Sequence, residues 1–152
     1  MATVAPAGVV SVMAQSARIS ENGAGTYTAT FNLPPKATLL DIVVEAEALW
    51  TAGTSAVIDV GDTADPDGYF SAVNLKATDL LAGESVSLGS TQVNGGDGAA
   101  YVIVGTSTHL SRRYSSAARV ITATITSVGA GTAGRTKITV LCAVGAPTEI
   151  TQ

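Results

Sequence analysis

The segment Val57–Phe70, "VIDVGDTADPDGYF", places four aspartates, Asp59, Asp62, Asp65 and Asp67, within nine residues. Carboxylates this dense suit three kinds of chemistry. They ligate hard cations, they work as an acid–base pair, or they accept backbone hydrogen bonds and shape a turn. An EF-hand calcium loop needs oxygen donors at alternate positions, glycine at the sixth and glutamate at the twelfth. Counted from Asp62, the third position is Ala64 and the twelfth is Val73, so that pattern fails. Asp65-Pro66-Asp67-Gly68 instead fits a type I turn, with aspartate first, proline second and glycine fourth. Asp59 alternates with Ile58 and Val60, which puts it on the outer face of a strand. The turn is the favoured reading. A loosely held cation on the Asp62, Asp65 and Asp67 loop, or a contact with a partner, is the alternative.

Catalysis by Asp62 with Asp67 would require a cleft and a separation of roughly 5 to 10 Å. Few residues assist such a pair, because aromatics are only 5% of the chain and sugar-stacking platforms are scarce. The single histidine, His109, lies in "STHLSRRYSS". No G-x-S-x-G elbow accompanies it and no second histidine is present, so neither a serine nucleophile nor a histidine metal site is supported. His109, Arg112 and Arg113 are candidates for contact with a partner or a neighbouring subunit. "NGGDG", residues 94–98, lacks the lysine of a phosphate-binding loop and reads as a flexible tip. Trp50 ends a strand and reads as a core lid or an interface anchor. The lone cysteine, Cys142, falls in an apolar alternating run and reads as a buried thiol. No enzymatic activity, cofactor or metal is expected.

The elements that must position these residues follow from pattern. The chain has 152 residues, the size of one domain. Hydrophobic residues are 46% and charged residues 13%, about half the usual charged share of roughly a quarter. So little surface charge disfavours a solitary monomer. The net charge is −4 with no dense basic face, which argues against nucleic-acid binding. No apolar run is long enough to span a membrane as a helix. "MATVAPAGVVSVMAQSARIS" has no basic start and no long apolar core, so it does not read as a signal peptide.

Period-two alternation dominates. Leu40, Ile42, Val44, Ala46 and Ala48 fall on one face, with Asp41, Glu45 and Glu47 on the other. Tyr27, Ala29 and Phe31 oppose Thr26, Thr28 and Thr30. Ile121, Ala123 and Ile125 oppose Thr122, Thr124 and Thr126. Ile138, Val140, Cys142 and Val144 form a further apolar face. "ENGAG", "LPPKA", "TAGTS" and "VGAGTAG" punctuate these runs as turns. About eight short strands of this kind predict an all-β antiparallel sandwich of jelly-roll type. A single domain spans residues 1–152, with 1–8 an N-terminal arm and 146–152 a short tail. One short helix is expected within Tyr69–Gly83, and a hairpin between Val120–Ser127 and Arg135–Val144.

The stretch "FNLPPKATLLDIVVEAEALWTAGTSAVIDVGDTADPDGYF" and the C-terminal "RVITATITSVGAGTAGRTKITVLCAV" resemble a pattern in virion proteins of tailed bacteriophages. The pattern is a Leu-Pro stretch, an alternating strand, a Thr-Ala-Gly turn, a strand ending in Val-Gly-Asp and an Asp-Pro-Asp turn. The resemblance implies a capsid decoration, or cement, protein on the outer head surface, commonly trimeric. Its partners would be the major capsid protein and other copies of itself. Trp50, Tyr69 and Phe70 are then candidate interface anchors. Two other roles stay open: a tail or head-fibre subunit, and a carbohydrate- or host-surface-binding module.

Overall fold

A computed structural model of the chain describes residues 8–88, 100–103 and 109–145. The described residues form ten strands and no helix. They are β1 (Ser11–Ser20), β2 (Gly25–Leu33), β3 (Thr38–Ala48), β4 (Ser55–Asp62), β5 (Phe70–Asn74), β6 (Ser85–Ser87), β7 (Val102–Ile103), β8 (His109–Leu110), β9 (Arg119–Val128) and β10 (Arg135–Val144). The first sheet runs β1-β10-β3-β6 and the second β2-β9-β4-β5, with the described strands paired antiparallel throughout. β7 and β8 form a separate ribbon. Pairs nest along the chain: β1 with β10, β2 with β9, β3 with β6, β4 with β5. The chain doubles back at the β4–β5 turn, where the aspartates lie. This order fits a jelly roll. The expected arm, apart from Gly8, the tail 146–152 and the "NGGDG" tip lie outside the described residues.

Alternation positions the core. Phe31 and Leu33 from β2, Ile58 and Val60 from β4, and Ile121, Ala123 and Ile125 from β9 face Leu39, Ile42, Val44, Ile138, Val140 and Cys142 from the first sheet. Cys142 is buried, as its pattern implied. On the outside of the second sheet, Thr26, Thr28 and Thr30 stand opposite Thr126, Thr124 and Thr122. β-branched pairs of this kind suit a pleated surface. The outside of the first sheet carries charge: Arg18 and Arg135 both pair with Glu47, and Lys137 pairs with Glu45. At the open side between β1 and β2, the Gln15 amide donates to the Asn32 carbonyl and accepts from the Asn32 N–H, which ties the sheets together.

Three expectations are corrected. Residues 69–83 hold no helix: they form β5 and a run of turns. Phe70 and Val73 are both buried three residues apart, a spacing that imitates a helix. It arises from a bulge, since Val60 opposes Phe70 while Ile58 opposes Val73. Ala72 takes up the extra residue at φ +53°, and its N–H donates to the Asp59 carboxylate.

Second, β9 and β10 do not form a hairpin. β9 pairs with β2 and β4, and β10 with β1 and β3, so the glycine-rich link crosses from one sheet to the other. Third, Leu40 is exposed and Leu39 buried, because a bulge at Leu141/Cys142 shifts the phase of β3.

Candidate functional site

The β4–β5 turn is built as its composition predicts. The Gly68 N–H donates to the Asp65 carbonyl at 3.2 Å, closing a four-residue turn, and the Asp62 N–H donates to the same carbonyl at 2.9 Å. Glycine is required at both ends by close approach. A Cβ on Gly61 would lie 2.0 Å from the Asp65 carbonyl oxygen, and one on Gly68 would lie 2.4 Å from the Tyr101 ring.

Asp62 does more than bend the backbone. Its side chain is 4% exposed. Oδ1 accepts from the N–H groups of Ala64 and Asp65, at 3.0 and 3.2 Å, and from the Tyr101 hydroxyl at 2.9 Å. Oδ2 accepts from Nε of Arg112 at 3.2 Å and forms an ion pair with its Nη2 at 3.1 Å. Burial pushes the Asp62 carboxyl up, but the Tyr101 hydroxyl, the two N–H groups and the Arg112 charge outweigh it and hold the group below the usual aspartate range. Burial, then the bond to Asp62, pushes the Tyr101 hydroxyl up to about 12.

Asp65 and Asp67 behave differently. Their shared hydrogen bond raises Asp65, while the Ser71 hydroxyl, donating at 2.9 Å, lowers Asp67. Neither lines the cleft described below. Among the described residues no group of three or more His, Cys, Asp and Glu side chains is arranged to hold a metal ion.

Arg112 is the hub of the site. It sits at φ +51°, a left-handed conformation uncommon for a residue with a Cβ. Both ends hold it there. Its guanidinium pairs with Asp62 and lies 5.1 Å from the Tyr101 ring centroid. Its carbonyl accepts from the Tyr69 hydroxyl, at 2.7 Å, and from Arg119. Arg119 also donates to the Tyr69 hydroxyl at 2.9 Å and to the Arg113 carbonyl at 2.6 Å. Tyr69 stacks edge-on against Tyr101 at 5.0 Å. The result is an open cleft of about 780 Å³, lined by Asp62, Thr63, Ala64 and residues of the 112–120 segment.

The expected interface residues divide between interior and surface. Trp50, Tyr69 and Phe70 are buried within the chain, at 2%, 0% and 1% exposure, so their rings pack the core and are not displayed as anchors. Trp50 is the core lid: its Nε1 donates to the Thr136 hydroxyl at 2.9 Å and its ring meets Tyr27 edge-on. Arg113 is tied to the carbonyls of Leu39 and Leu40. Arg112 is exposed. The backbone of His109 pairs with Ile103.

Pattern reading missed Tyr101, Arg119 and Glu21 as structural participants. Glu21, 5% exposed, accepts through Oε2 from the N–H groups of Thr51, Ala133 and Gly134 and from the Thr51 hydroxyl. It holds the sheet-crossing link against the β3–β4 loop. A carboxylate in "ENGAG" gave no sign of partners 30 and 113 residues away.

No family model and no curated protein sequence matches the chain. Three solved structures share its fold. One is the acidic stable capsid structure of Helicobacter pylori bacteriophage KHP30, with a TM-score of 0.60 and 15% identity, covering 95% of this chain and 98% of that one. The second is the cyanophage Pam1 capsid asymmetric unit, at 0.51 and 21%, covering 95% and 94%. The third is the capsid of Ralstonia phage GP4, at 0.50 and 19%, covering 97% and 92%. Over nearly its whole length the chain therefore has the β-sandwich fold of chains found in three phage capsid structures.

Proposed function

We propose that this chain is a structural virion protein, a decoration protein that binds the outer surface of a phage head and stabilises it by bridging neighbouring capsid subunits. The observation that carries this reading is the end-to-end fold match to chains of three phage capsid structures, 92–98% of whose lengths are covered. A charged share of 13% fits a surface partly covered by neighbours. The acidic turn fits a scaffold role, because its central carboxylate is used up by internal hydrogen bonds.

The mechanism is linkage. A subunit that binds the assembled shell and not its free building blocks shifts the equilibrium toward the shell. Engagement of several neighbours at once multiplies modest contacts into high avidity. A trimer would repeat the same edges and loops around a threefold axis. His109, Arg112 and Arg113 are the contact residues of this proposal.

Electron cryomicroscopy of the source particle tests the location. Density for this fold on the outer head surface is the expected result, and its absence from the head overturns the proposal. Light scattering of the isolated protein tests the trimer, and a clean monomer at high concentration counts against it.

A further inference from the structure

The cleft beside Asp62 has an unbalanced charge. Two guanidinium groups line it, against one carboxylate. Arg112 donates Nε–H to Asp62 and holds Nη2 in an ion pair with it, and its side chain remains 49% exposed. Among the described residues Arg119 donates only to neutral oxygens: the Tyr69 hydroxyl and the carbonyls of Arg112 and Arg113. Its Nε is buried without a hydrogen-bond partner. Among the described residues no carboxylate forms an ion pair with Arg119. A partly desolvated cation without a counter-ion is unfavourable in an isolated chain. Such an arrangement makes sense where the anion arrives from outside. The strained backbone at Arg112 points the same way, since strain of this kind clusters at binding sites.

We propose that this cleft is a carboxylate socket, which takes one acidic side chain of a neighbouring polypeptide between Arg112 and Arg119. The surplus is a single positive charge, which suits a monoanionic carboxylate. A phosphate dianion would overshoot it beside the fixed charge of Asp62. Guanidinium is the group of choice for such a guest, because its planar fork matches both carboxylate oxygens. The identity of the guest chain, though not the socket itself, rests on the shell-binding reading above.

The test is an NMR titration of the full chain at low salt, with N-acetyl-glutamate α-amide as the probe and its glutamine counterpart as control. The expected result is saturable shifts at the Nε–H signals of Arg112 and Arg119 and at the amides of Ser115 and Ser116, weakened by added salt. The glutamine probe should give none. Arg112→Gln should lower the affinity at least about tenfold. Absence of saturable shifts in the unaltered protein, equal shifts with the glutamine probe, or unchanged affinity in Arg112→Gln would each overturn the socket.

Arg112→Glu separates the sources. Loss of self-association, read by light scattering, assigns the acid to a second copy. Loss of co-sedimentation with undecorated particles, with self-association intact, assigns it to a shell subunit. If the unaltered protein self-associates or co-sediments and neither behaviour changes in Arg112→Glu, the socket is refuted. Failure of the unaltered protein to co-sediment sinks the shell-binding reading alone and leaves the titration to decide the socket.

Discussion

The hydroxyl of Tyr101 donates a 2.9 Å hydrogen bond to the Asp62 carboxylate, across 39 residues of sequence, in a buried position. This bond fastens the long β6–β9 excursion to the β4–β5 turn. Two backbone bonds reinforce it, from the Tyr101 N–H to the Gly68 carbonyl and from the Ser111 N–H to the Tyr101 carbonyl, both 2.8 Å. Asp62 is thus the single acid on which the turn, Tyr101 and Arg112 all converge.

Removing that acid should destabilise the chain. Asp62→Ala strands a buried hydroxyl, two N–H groups and a guanidinium, and should cost about 3 kcal/mol in urea unfolding. Asp67→Ala removes a half-exposed partner of Ser71 and Asp65, no buried group is stranded, and the urea midpoint should be nearly unchanged. Equal losses from the two changes would contradict the assignment of Asp62 as the anchor.

The two turn glycines fail for steric reasons. Gly61→Ala drives a methyl into the Asp65 carbonyl, which as backbone cannot step aside. Expression as insoluble protein, or a loss above about 3 kcal/mol, is expected. Gly68→Ala meets a ring that can shift, so about 1–3 kcal/mol is expected. In a Tyr101→Ala background the Gly68→Ala cost should shrink, which a double-mutant cycle measures.

Acid should weaken the fold through Glu21 and Asp62. Burial raises the Glu21 carboxyl, but bonds from Thr51, Gly134 and Ala133 outweigh it and the net displacement is downward. Asp62 is displaced the same way. A lowered folded value means that stability is fully present above the ordinary values of 4.5 for Glu21 and 3.8 for Asp62. It is lost as pH falls below them toward the folded values. Thermal melts should therefore be level from neutral pH to about 5 and fall steeply below about 4. Glu21→Gln should lower the melting point at neutral pH and flatten that fall. An unaltered slope in Glu21→Gln would remove Glu21 from the account.

Trp50 reports on the interior. It is the only tryptophan, 2% exposed, with its indole N–H bonded to Thr136. Its emission should be blue-shifted in the folded protein and shift red on unfolding. Thr136→Val leaves the indole N–H unpaired and should cost about 1–3 kcal/mol. Trp50→Ala should cost about 3–5 kcal/mol. Native emission already red and open to aqueous quenchers would place Trp50 outside the core.

Much of the architecture was legible because alternation is a local property. The threonine–isoleucine rhythm of β9 and the run ending at Cys142 in β10 each declare one buried face. What alternation cannot declare is which sheet a strand joins. β9 and β10 look like hairpin arms because a six-residue glycine-rich link separates them. Glu21 and Thr51, remote in sequence, pin that link as a crossing. The bulge at Ala72 produced a helical spacing from extended chain, and Asp59 from the neighbouring strand holds that bulge. In the site, Asp65-Pro66-Asp67-Gly68 was readable as a turn from its own residues. The role of Asp62 was not, because Tyr101 and Arg112 reach it over 39 and 50 residues.

The nested order has a consequence for synthesis. β1 pairs in its sheet only with β10, through a register that begins with Ser11 opposite Val144. β1, synthesised well before β10, must therefore wait for it before these backbone bonds form. During that wait Val9, Val10 and Val12, still exposed in the finished fold, stand beside an unpaired edge.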